Sequence, residues 1–584
     1  MVDQLLAKES SVGDVLRYVR MILGPERNYY ALAFIYGVGI SVLSLALPIS
    51  VQMLVNTVAN TALATPLLVL SLTLFGLLLA SGLLNALRIH LIDLFGRRFY
   101  ARMVAEIAVR SVYALNPFFE DYSRGSLFNR YFDIIIVQKT LPNLLVGGFT
   151  IVLQAGVGFV LVSSYHPWFL FFNIVMIALI WVIWLLWGGR AIASAVAVSH
   201  KKHAAAQWLE GLGSSNGFFK TRHHIEDALR RTDEVTATYM EKHIKHFRHH
   251  FGQTIAFLLL YAAASAALLG LGGFLVIQGQ LTLGQLVAAE LVLSVVFVGL
   301  SQLGIYMAYF YEVCGAIEEL SLFYDVEQDD PDESYEPFAG DGNLEFVHAR
   351  GDARGREVAL NFGLREGERV LAIAESHGLQ REVTDFLKRH VRTVGGYVTL
   401  GGQDIDTIHI HELRQQVIVL DRPNAIEMTI NDYLRLSGPA ATAQRILEVL
   451  RIVGLDNTIN QLVDGMETRI SATGWPLTIA EIMQLKLAAA IIAQPKVLVL
   501  SQLFDTMTGA HLTESLETLE RESNTTVMYF SNRQRNMHFD HYLYLGYERQ
   551  TFFDDYPALC AETGYDKCDP TPVSSFPAAG GDGA

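Results

Sequence analysis

Six long apolar stretches in the first half of the chain constrain its fold more than any other feature. Each has about 20 residues or more, which is enough for an α-helix to cross the hydrocarbon core of a membrane. Hydrophobic residues make up 51% of the chain and charged residues only 18%. Because the second half has the pattern of a soluble domain, the apolar excess must be concentrated in the first half. The predicted spans are residues 29–55, 67–92, 141–164, 168–188, 254–277 and 283–309.

The distribution of lysine and arginine predicts how these spans are oriented. The short connections after the first, third and fifth spans contain neither residue type, whereas arginine is abundant between Arg88 and Arg130. Basic connections stay in the cytoplasm, so both termini are predicted to be cytoplasmic. The two long connections have a helical pattern and are expected to extend two pairs of spans well into the cytosol. Residues 1–28 are amphipathic and charged, which predicts an interfacial elbow helix and not a secretory signal.

The second half of the chain has the pattern of an α/β domain. Residues 367–374 predict a turn that enters a buried strand, and a polar loop and a helical pattern over 382–390 follow. A strand, a loop and a helix in this order are where a phosphate-binding loop would lie. Further on, the pattern predicts an apolar helix and two buried strands, over residues 477–493, 495–500 and 525–530.

These patterns divide the chain into five parts. The elbow is followed by a six-helix membrane domain with long cytoplasmic extensions, an acidic linker, an α/β domain and a tail. The tail is rich in Pro, Ser and Gly and is expected to be disordered. After the elbow, the predicted boundaries are 29–325, 326–343, 344–560 and 561–584.

The order of these elements resembles the ABC transporter family, whose soluble domain contains a Walker A strand and loop, a signature helix, a Walker B strand and a switch strand. Neutral landmarks have family-like spacing, such as Gly465 before the signature, Gln494-Pro495-Lys496 before Walker B and Asp540 after the switch. In the first half, residues 116–120 match the family's coupling helix, and three residues beyond it match as well: Gly125, Arg130 and Asp133.

The resemblance runs from about Leu16 to Leu559. It implies six long transmembrane helices of ABC exporter type, followed by a P-loop-NTPase-like α/β domain. The expected fold class is therefore an all-α membrane domain plus an α/β domain.

The residues at the expected Walker A positions differ from the family's motif. A phosphate-binding loop has the form GxxxxGK[ST], because glycines let backbone amides surround the phosphate, lysine neutralises its charge and a hydroxyl binds Mg²⁺. In this chain the glycine positions correspond to Ala374 and Leu379, the lysine to Gln380 and the hydroxyl to Arg381. None of the motif is present.

The remaining motifs are changed in the same way. The signature ends in Ile479, Ala480 and Glu481, and a carboxylate there would repel a phosphate. The two Walker B acids correspond to Ser501 and Gln502. The Q-loop glutamine, the D-loop aspartate and the switch histidine correspond to Leu420, Thr508 and Asn532. The resemblance thus implies a pseudo-ATPase with a degenerate nucleotide-binding domain, in which no cofactor is expected. ATP and Mg²⁺ would be cofactors only if the prediction of a degenerate nucleotide-binding domain is wrong.

Ionisable residues in the first half offer two further candidate sites. His243, His246 and His250 share one helix face and could bind a transition metal, although interleaved Lys and Arg residues favour a solvated basic helix near anionic lipid. Glu290 is the ionisable residue within the last apolar stretch. It is a candidate for substrate contact or proton coupling, and the alternative is a residue close enough to the outer surface to stay hydrated.

The resemblance implies a dimeric exporter subunit in a bacterial inner membrane, and the sequence leaves its partner open. A homodimer, a heterodimer with another ABC half-transporter and contact with secretion-system components all fit. Three functional classes fit as well: a transporter of an amphipathic substrate driven by a partner's ATP or by an ion gradient, a scaffold that regulates another exporter, and an unconventional ATPase. The net charge of −15 argues against nucleic acid as a partner.

Overall fold

The computed structural model describes residues 12–60, 64–115, 124–329, 337–353, 355–531, 533 and 537–563. The chain forms two compact units, Met1–Gln328 and Asp329–Ala584. The boundary between them lies inside the predicted acidic linker. Several predictions fall outside the described residues, namely the coupling-helix segment 116–120, Asn532 and most of the tail.

The first unit is all-helical, and its six long apolar helical segments confirm the six predicted spans. Its helices are α1 (Val12–Leu23), α2 (Arg27–Ser44), α3 (Ala46–Asn60), α4 (Ala64–Val112), α5 (Phe132–Asn143), α6 (Phe149–Ser163), α7 (Pro167–Ser214), α8 (Arg222–Ile277) and α9 (Leu283–Ser321). A 3₁₀ segment, Arg124–Tyr131, precedes α5, and a π segment, Leu144–Gly148, joins α5 to α6.

Three of these helices are far longer than a membrane requires. α4, α7 and α8 contain 49, 48 and 56 residues. At 1.5 Å per residue, α8 is about 84 Å long, whereas the hydrocarbon core is about 30 Å thick. The long connections are therefore helical, as the sequence predicts.

A proline explains why the first span consists of two helices. α2 ends at Ser44 and α3 begins at Ala46. Pro48 has no amide hydrogen to donate to Ser44, and its ring would clash with that carbonyl group in a continuous helix. Leu45 therefore lies between two helices that together cover the span.

Close packing of the spans relies on small residues in α9. A Cβ atom on Gly304 would lie 2.6 Å from Thr254 Oγ1 of α8, and one on Gly299 would lie 2.6 Å from a methyl group of Ile151 in α6. Small residues at these points let the backbones of membrane helices approach closely. α9 is accordingly the most buried of the six spans.

The second unit contains two sheets and is α/β, as predicted. Its strands are β1 (Leu344–Asp352), β2 (Glu357–Leu364), β3 (Arg369–Ala374), β4 (Gly395–Leu400), β5 (Gln403–Asp404), β6 (Val417–Leu420), β7 (Val497–Leu500), β8 (Thr526–Phe530), β9 (His541–Leu545) and β10 (Gln550–Phe553). Its helices are α10 (His377–Leu387), α11 (Ile410–Gln416), α12 (Ile430–Arg435), α13 (Ala443–Ile452), α14 (Asp456–Gln461), α15 (Ile479–Ala493), α16 (Gly509–Ser523) and α17 (Tyr556–Thr563).

The larger sheet has the strand order β10-β9-β3-β8-β7-β6 and is parallel except for β10. The smaller sheet, in the order β2-β1-β4-β5, is antiparallel. Every residue of β7 and β8 is buried, which is the pattern of parallel strands covered on both faces. The carboxyl ends of β3, β8, β7 and β6 therefore lie along one edge, where open α/β sheets bind their ligands.

Candidate nucleotide-site region

A cavity of about 360 Å³ lies at this carboxyl edge of the larger sheet. Its walls come from α10, from the residues directly after β6 and from those directly after β7. The structure thereby brings together four of the residues predicted from the sequence, Gln380, Arg381, Ser501 and Gln502. The other lining residues are His377, Thr384, Asp421, Arg422 and Leu503.

The turn between β3 and α10 is short, and amides on both sides of it are bonded within the protein. Ala374 ends β3, and only Glu375 and Ser376 separate it from α10. The amide of Glu375 donates to the Leu545 carbonyl oxygen at 2.8 Å, and the amide of Gln380 donates to the Ser376 carbonyl oxygen at 3.3 Å. A phosphate-binding loop functions because such amides point at the ligand instead.

Two side chains close this turn further. Ser376 caps α10, since its Oγ accepts a hydrogen bond from the Leu379 amide at 3.3 Å. Leu379, at the second glycine position, is fully buried in the core between the sheets and α10. The isobutyl group thus anchors the first turn of the helix in apolar surroundings, at a place where the family's motif has no side chain.

Arg381 forms an ion pair with Asp385 one turn further along α10, and His390 contacts the same carboxylate. Arg381 Nε lies 3.2 Å from Asp385 Oδ2, and His390 Nδ1 lies 3.4 Å from Asp385 Oδ1. Burial alone would raise the pKa of Asp385, but the hydrogen bonds from His390 and Arg381 outweigh it and lower that pKa. Asp385 therefore partly compensates the positive charge of Arg381, which lines the cavity.

Glu382, beside Arg381, is also buried, but its pKa is shifted in the opposite direction to that of Asp385. Burial raises the pKa of its carboxyl to about 7, although a hydrogen bond from the Asp352 amide at 3.1 Å opposes the rise. Glu382 is therefore partly protonated near neutral pH.

At the carboxyl end of β6, the cavity is lined by the residues that follow Leu420 and not by Leu420 itself. Leu420, expected at the Q-loop glutamine position, is buried in the hydrophobic core, and the two residues after it line the cavity. Asp421 is held by Lys388, whose Nζ lies 3.0 and 3.1 Å from its carboxylate oxygens. Asp421 and Arg422 directly follow a parallel strand, and this position is the signal that could have identified them.

The edge at β7 presents neutral groups where the family has acids. The Ser501 amide donates to the Leu420 carbonyl oxygen at 3.1 Å, which fixes the residue at the end of the strand. Its Oγ atom is buried without a hydrogen-bond partner in the described structure, and so is Oε1 of Gln380. A hydroxyl and an amide supply no negative charge for Mg²⁺, which prefers carboxylates and phosphate oxygens.

The amino terminus of α15, where the signature would meet a nucleotide, is capped by its own side chains. Thr478 Oγ1 accepts from the Glu481 amide at 3.3 Å, and Glu481 Oε2 accepts from the Thr478 amide at 2.7 Å. This reciprocal arrangement is a capping box. Glu481 Oε1 also accepts from Thr458 Oγ1 at 3.1 Å. The carboxylate thus lies over the helix end that an anion would otherwise approach.

Two other predicted positions do not line the cavity. Ile479, on the first turn of α15, leaves 55% of its surface exposed. Thr508 is exposed at the amino terminus of α16 and makes no side-chain capping bond.

Two of the three residues predicted beyond the coupling helix, Arg130 and Asp133, form buried ion pairs in the helical unit. Gly125 lies in the 3₁₀ segment before α5. Arg130 Nε lies 2.5 Å from Glu319 Oε2 of α9. Asp133 is fully buried and contacts Lys202 Nζ at 2.6 Å and His203 Nε2 at 2.5 Å, both on α7. A coupling role for these residues stays a prediction.

The other candidates lie on α8 and α9. His246 Nδ1 is 3.0 Å from Ser194 Oγ, and its ring stacks on that of His250 against Tyr311. In the described structure His243, His246 and His250 do not form a group of three close ligand atoms. Glu290 is half-buried on α9, and its Oε2 atom is buried without a hydrogen-bond partner.

Comparison with known proteins agrees with this architecture. Residues 30–207 match the family described as ABC transporter transmembrane region. The chain is 23% identical over 561 residues to the ABC multidrug transporter mdr2 of Aspergillus fumigatus, a match that covers 90% of this chain and 68% of that one. The structure of a bacterial Atm1-family ABC exporter with ATP bound has the same fold, with a TM-score of 0.76 and 16% identity over 93% of this chain and 97% of the other.

The chain contains an ABC transporter transmembrane region and has the fold of an exporter-type ABC half-transporter. It is also 26% identical over 280 residues to the Fatty acid ABC transporter ATP-binding/permease protein of Mycobacterium bovis. That match covers 46% of this chain and 43% of the mycobacterial protein, so it spans less than half the length of that relative.

Proposed function

We propose that this chain is the membrane subunit of an ABC-exporter-like transport or secretion system, and that its own α/β unit does not hydrolyse ATP. The closed turn between β3 and α10 carries the proposal. Leu379 is buried there, and the amides of Glu375, Leu379 and Gln380 are bonded inside the protein, so the turn lacks the glycines and part of the amide donors that surround a triphosphate in a phosphate-binding loop.

Two further features support the loss of nucleotide chemistry. The β7 edge presents Ser501 and Gln502, which supply no charge to hold a metal ion. The Glu481 carboxylate caps α15 and would lie against any phosphate brought to that helix end. At about 4 Å, two like charges repel by about 4 kcal/mol at a surface-like dielectric. A partner's nucleotide would therefore meet an unfavourable surface here.

The proposed assembly is a dimer in a bacterial inner membrane with both termini in the cytoplasm. In the ABC family each ATP lies between the Walker A motif of one subunit and the signature of the other. This chain would weaken both composite sites, so energy from ATP would have to come from an intact partner subunit. The chain could form a heterodimer with such a subunit, a homodimer or a complex with secretion-system components. Isolating the chain from its native membrane and identifying the proteins that accompany it distinguishes these assemblies.

Nucleotide binding to the purified full-length chain tests the proposal. We expect no saturable binding of ATP at millimolar ATP and Mg²⁺, and no hydrolysis above background. The variant Gln380→Lys restores the missing cation but leaves the turn closed, so it should not restore binding. The triple variant Leu379→Gly, Gln380→Lys, Arg381→Ser opens the turn as well and serves as its comparison. Saturable ATP binding by the wild-type chain would overturn the proposal.

An apolar cavity in the helical unit indicates which part of a substrate could be held. Its volume is about 540 Å³, and its walls come from α6, α7, α8 and α9. Aromatic and aliphatic side chains such as Phe159, Trp181, Phe257 and Leu300 line it. These surroundings suit the apolar part of an amphipathic molecule.

A second function, transport driven by an ion gradient, is favoured by the buried oxygen of Glu290. An unpartnered charge in hydrocarbon costs about 3 kcal/mol or more, so binding a proton or a cation there would be strongly favourable. Under this mechanism, transport in sealed vesicles is indifferent to ATP and is abolished by Glu290→Gln. The exposed Glu312 of the same helix provides the control, since Glu312→Gln should have no effect. Equal transport by Glu290→Gln and the wild-type chain would exclude it.

A further inference from the structure

A cluster of metal-binding side chains lies where α7 meets the carboxyl end of α9. His200 Nε2 is 2.7 Å from Glu318 Oε2 and 3.9 Å from Glu319 Oε1. One ligand atom from each of the three residues lies within 4.8 Å of the others. Among the residues that the structure describes, these three form the one group of His, Cys, Asp or Glu side chains whose ligand atoms lie this close together.

One carboxylate oxygen of the cluster makes no hydrogen bond. Glu319 is fully buried, and its Oε2 contacts Arg130 Nε at 2.5 Å, but its Oε1 makes no hydrogen bond. Burying an acceptor without a hydrogen bond is unfavourable, and more so when the acceptor is charged. Since Oε1 points toward His200, a cation between the two residues would satisfy it.

The distances suit a small transition-metal ion. Zn²⁺ binds histidine nitrogen and carboxylate oxygen at about 2.0–2.2 Å in tetrahedral geometry, which separates neighbouring ligand atoms by about 3.4 Å. The observed separations of 2.7 and 3.9 Å lie on either side of that value. The third separation, between the two carboxylate oxygens, is at most 4.8 Å, so side-chain adjustments of about 1–1.5 Å would place all three atoms in one coordination shell, with a fourth position for water.

The neighbouring groups support such a site. Arg130 fixes the second oxygen of Glu319, which orients the carboxylate as outer-shell contacts do in known metal sites. Glu318 is also buried, whereas the His200 side chain is 28% exposed, so an ion could enter from the solvent past the imidazole. The cluster lies beyond the predicted ends of the fourth and sixth spans, at residues 188 and 309, and is therefore placed on the cytoplasmic side.

We propose that His200, Glu318 and Glu319 bind a divalent transition-metal ion, with Zn²⁺ as the best fit. The ion would join α7 to the last turn of α9, where the chain leaves the helical unit. The site is independent of nucleotide binding, because none of its residues belongs to the α/β unit.

Zinc binding to the purified, tag-free full-length chain tests the proposal. The chain is treated with a chelator, returned to metal-free buffer, and titrated with Zn²⁺ by calorimetry. We expect one Zn²⁺ per chain, and an affinity at least tenfold lower in His200→Ala and in Glu319→Gln. His223 is exposed on α8, and His223→Ala should leave the affinity unchanged. Co²⁺ bound in place of Zn²⁺ should give visible absorption bands that both variants lose.

Thermal unfolding with and without Zn²⁺ separates a metal site from a purely structural ion-pair network. A metal site predicts that Zn²⁺ raises the unfolding temperature of the wild-type chain and of His223→Ala, but not of Glu319→Gln. If the wild-type chain binds no stoichiometric Zn²⁺, or if His200→Ala and Glu319→Gln bind it as tightly as the wild type, the proposal is wrong. The wild-type titration and the Co²⁺ spectrum decide the matter even if a variant fails to fold.

Discussion

The cavity at the sheet edge and the ion-pair network of the helical unit both collect polar side chains, but they use them differently. In the α/β unit, the Gln380 amide is bonded to Ser376 in the same turn, and the Glu481 carboxylate is bonded to Thr478, three residues earlier. In the helical unit, the buried charges of Arg130, Asp133 and Glu319 are each paired with a residue of another element. Local bonds can close a site without disturbing a fold, whereas buried charges contributed by several helices make the fold depend on each partner.

The largest expected loss of stability comes from breaking the buried ion pair between Arg130 and Glu319. Arg130→Ala leaves the buried Glu319 carboxylate without its ion pair, which should lower the free energy of unfolding by about 3–5 kcal/mol. Thermal unfolding of the chain in detergent measures it. The matched control is Arg222→Ala, because Arg222 pairs with Glu226 at the surface and its side chain is 94% exposed. Arg222→Ala should change stability by less than about 1 kcal/mol. Equal effects of the two variants would contradict the expected difference between a buried and an exposed ion pair.

The next effect concerns the closed turn. Leu379→Ala removes most of a fully buried side chain and should lower the free energy of unfolding by about 2–5 kcal/mol. Leu436→Ala, at a side chain that is 72% exposed, is the control and should cost far less. Unfolding by denaturant compares the two variants. A small loss for Leu379→Ala would mean that the turn does not depend on this anchor.

The pH dependence of the α/β unit should reflect Glu382. Its folded pKa is raised from 4.5 to about 7, so the folded state binds this proton more tightly than the unfolded chain does. Its contribution to stability is therefore present below about pH 4.5 and is lost as the pH rises through about 7. Glu382→Gln should stabilise the chain by about 1–3 kcal/mol at pH 8, with little effect at pH 5.

Unfolding temperatures measured across this pH range check the Glu382 prediction. Glu345→Gln, at an exposed residue of β1, is the control. A difference between Glu382→Gln and the wild-type chain that stays constant with pH would show that the carboxyl is not buried as described.

The smallest effect belongs to the cap of α15. Glu481→Ala removes half of a capping box and should lower stability by about 1 kcal/mol. Glu514→Ala, at an exposed position inside α16, should change it by a few tenths of a kcal/mol. The difference between the two variants in denaturant unfolding measures the cap. No difference would imply that the Glu481 carboxylate is available for other contacts.

Periodicity and apolar length were sufficient to predict the six spans and the strand-loop-helix order, because these depend on residues close in sequence. The end of a predicted strand could have indicated Asp421 and Arg422, but which side chains reach the cavity depends on where the strand leaves the sheet. The sequence identified Glu481 as a carboxylate that would repel phosphate, but its bond to Thr478 requires the backbone geometry. His200 and Glu318 are 118 residues apart and meet only in the folded helical unit.

The length of α8 has a mechanical consequence. The part that precedes the predicted fifth span, residues 222–253, is about 48 Å long and belongs to one uninterrupted helix. A rigid lever of that length converts a tilt of about 5° at the membrane surface into a movement of about 4 Å at its far tip. Small angular changes among the spans would thus be amplified into displacements as large as a side chain.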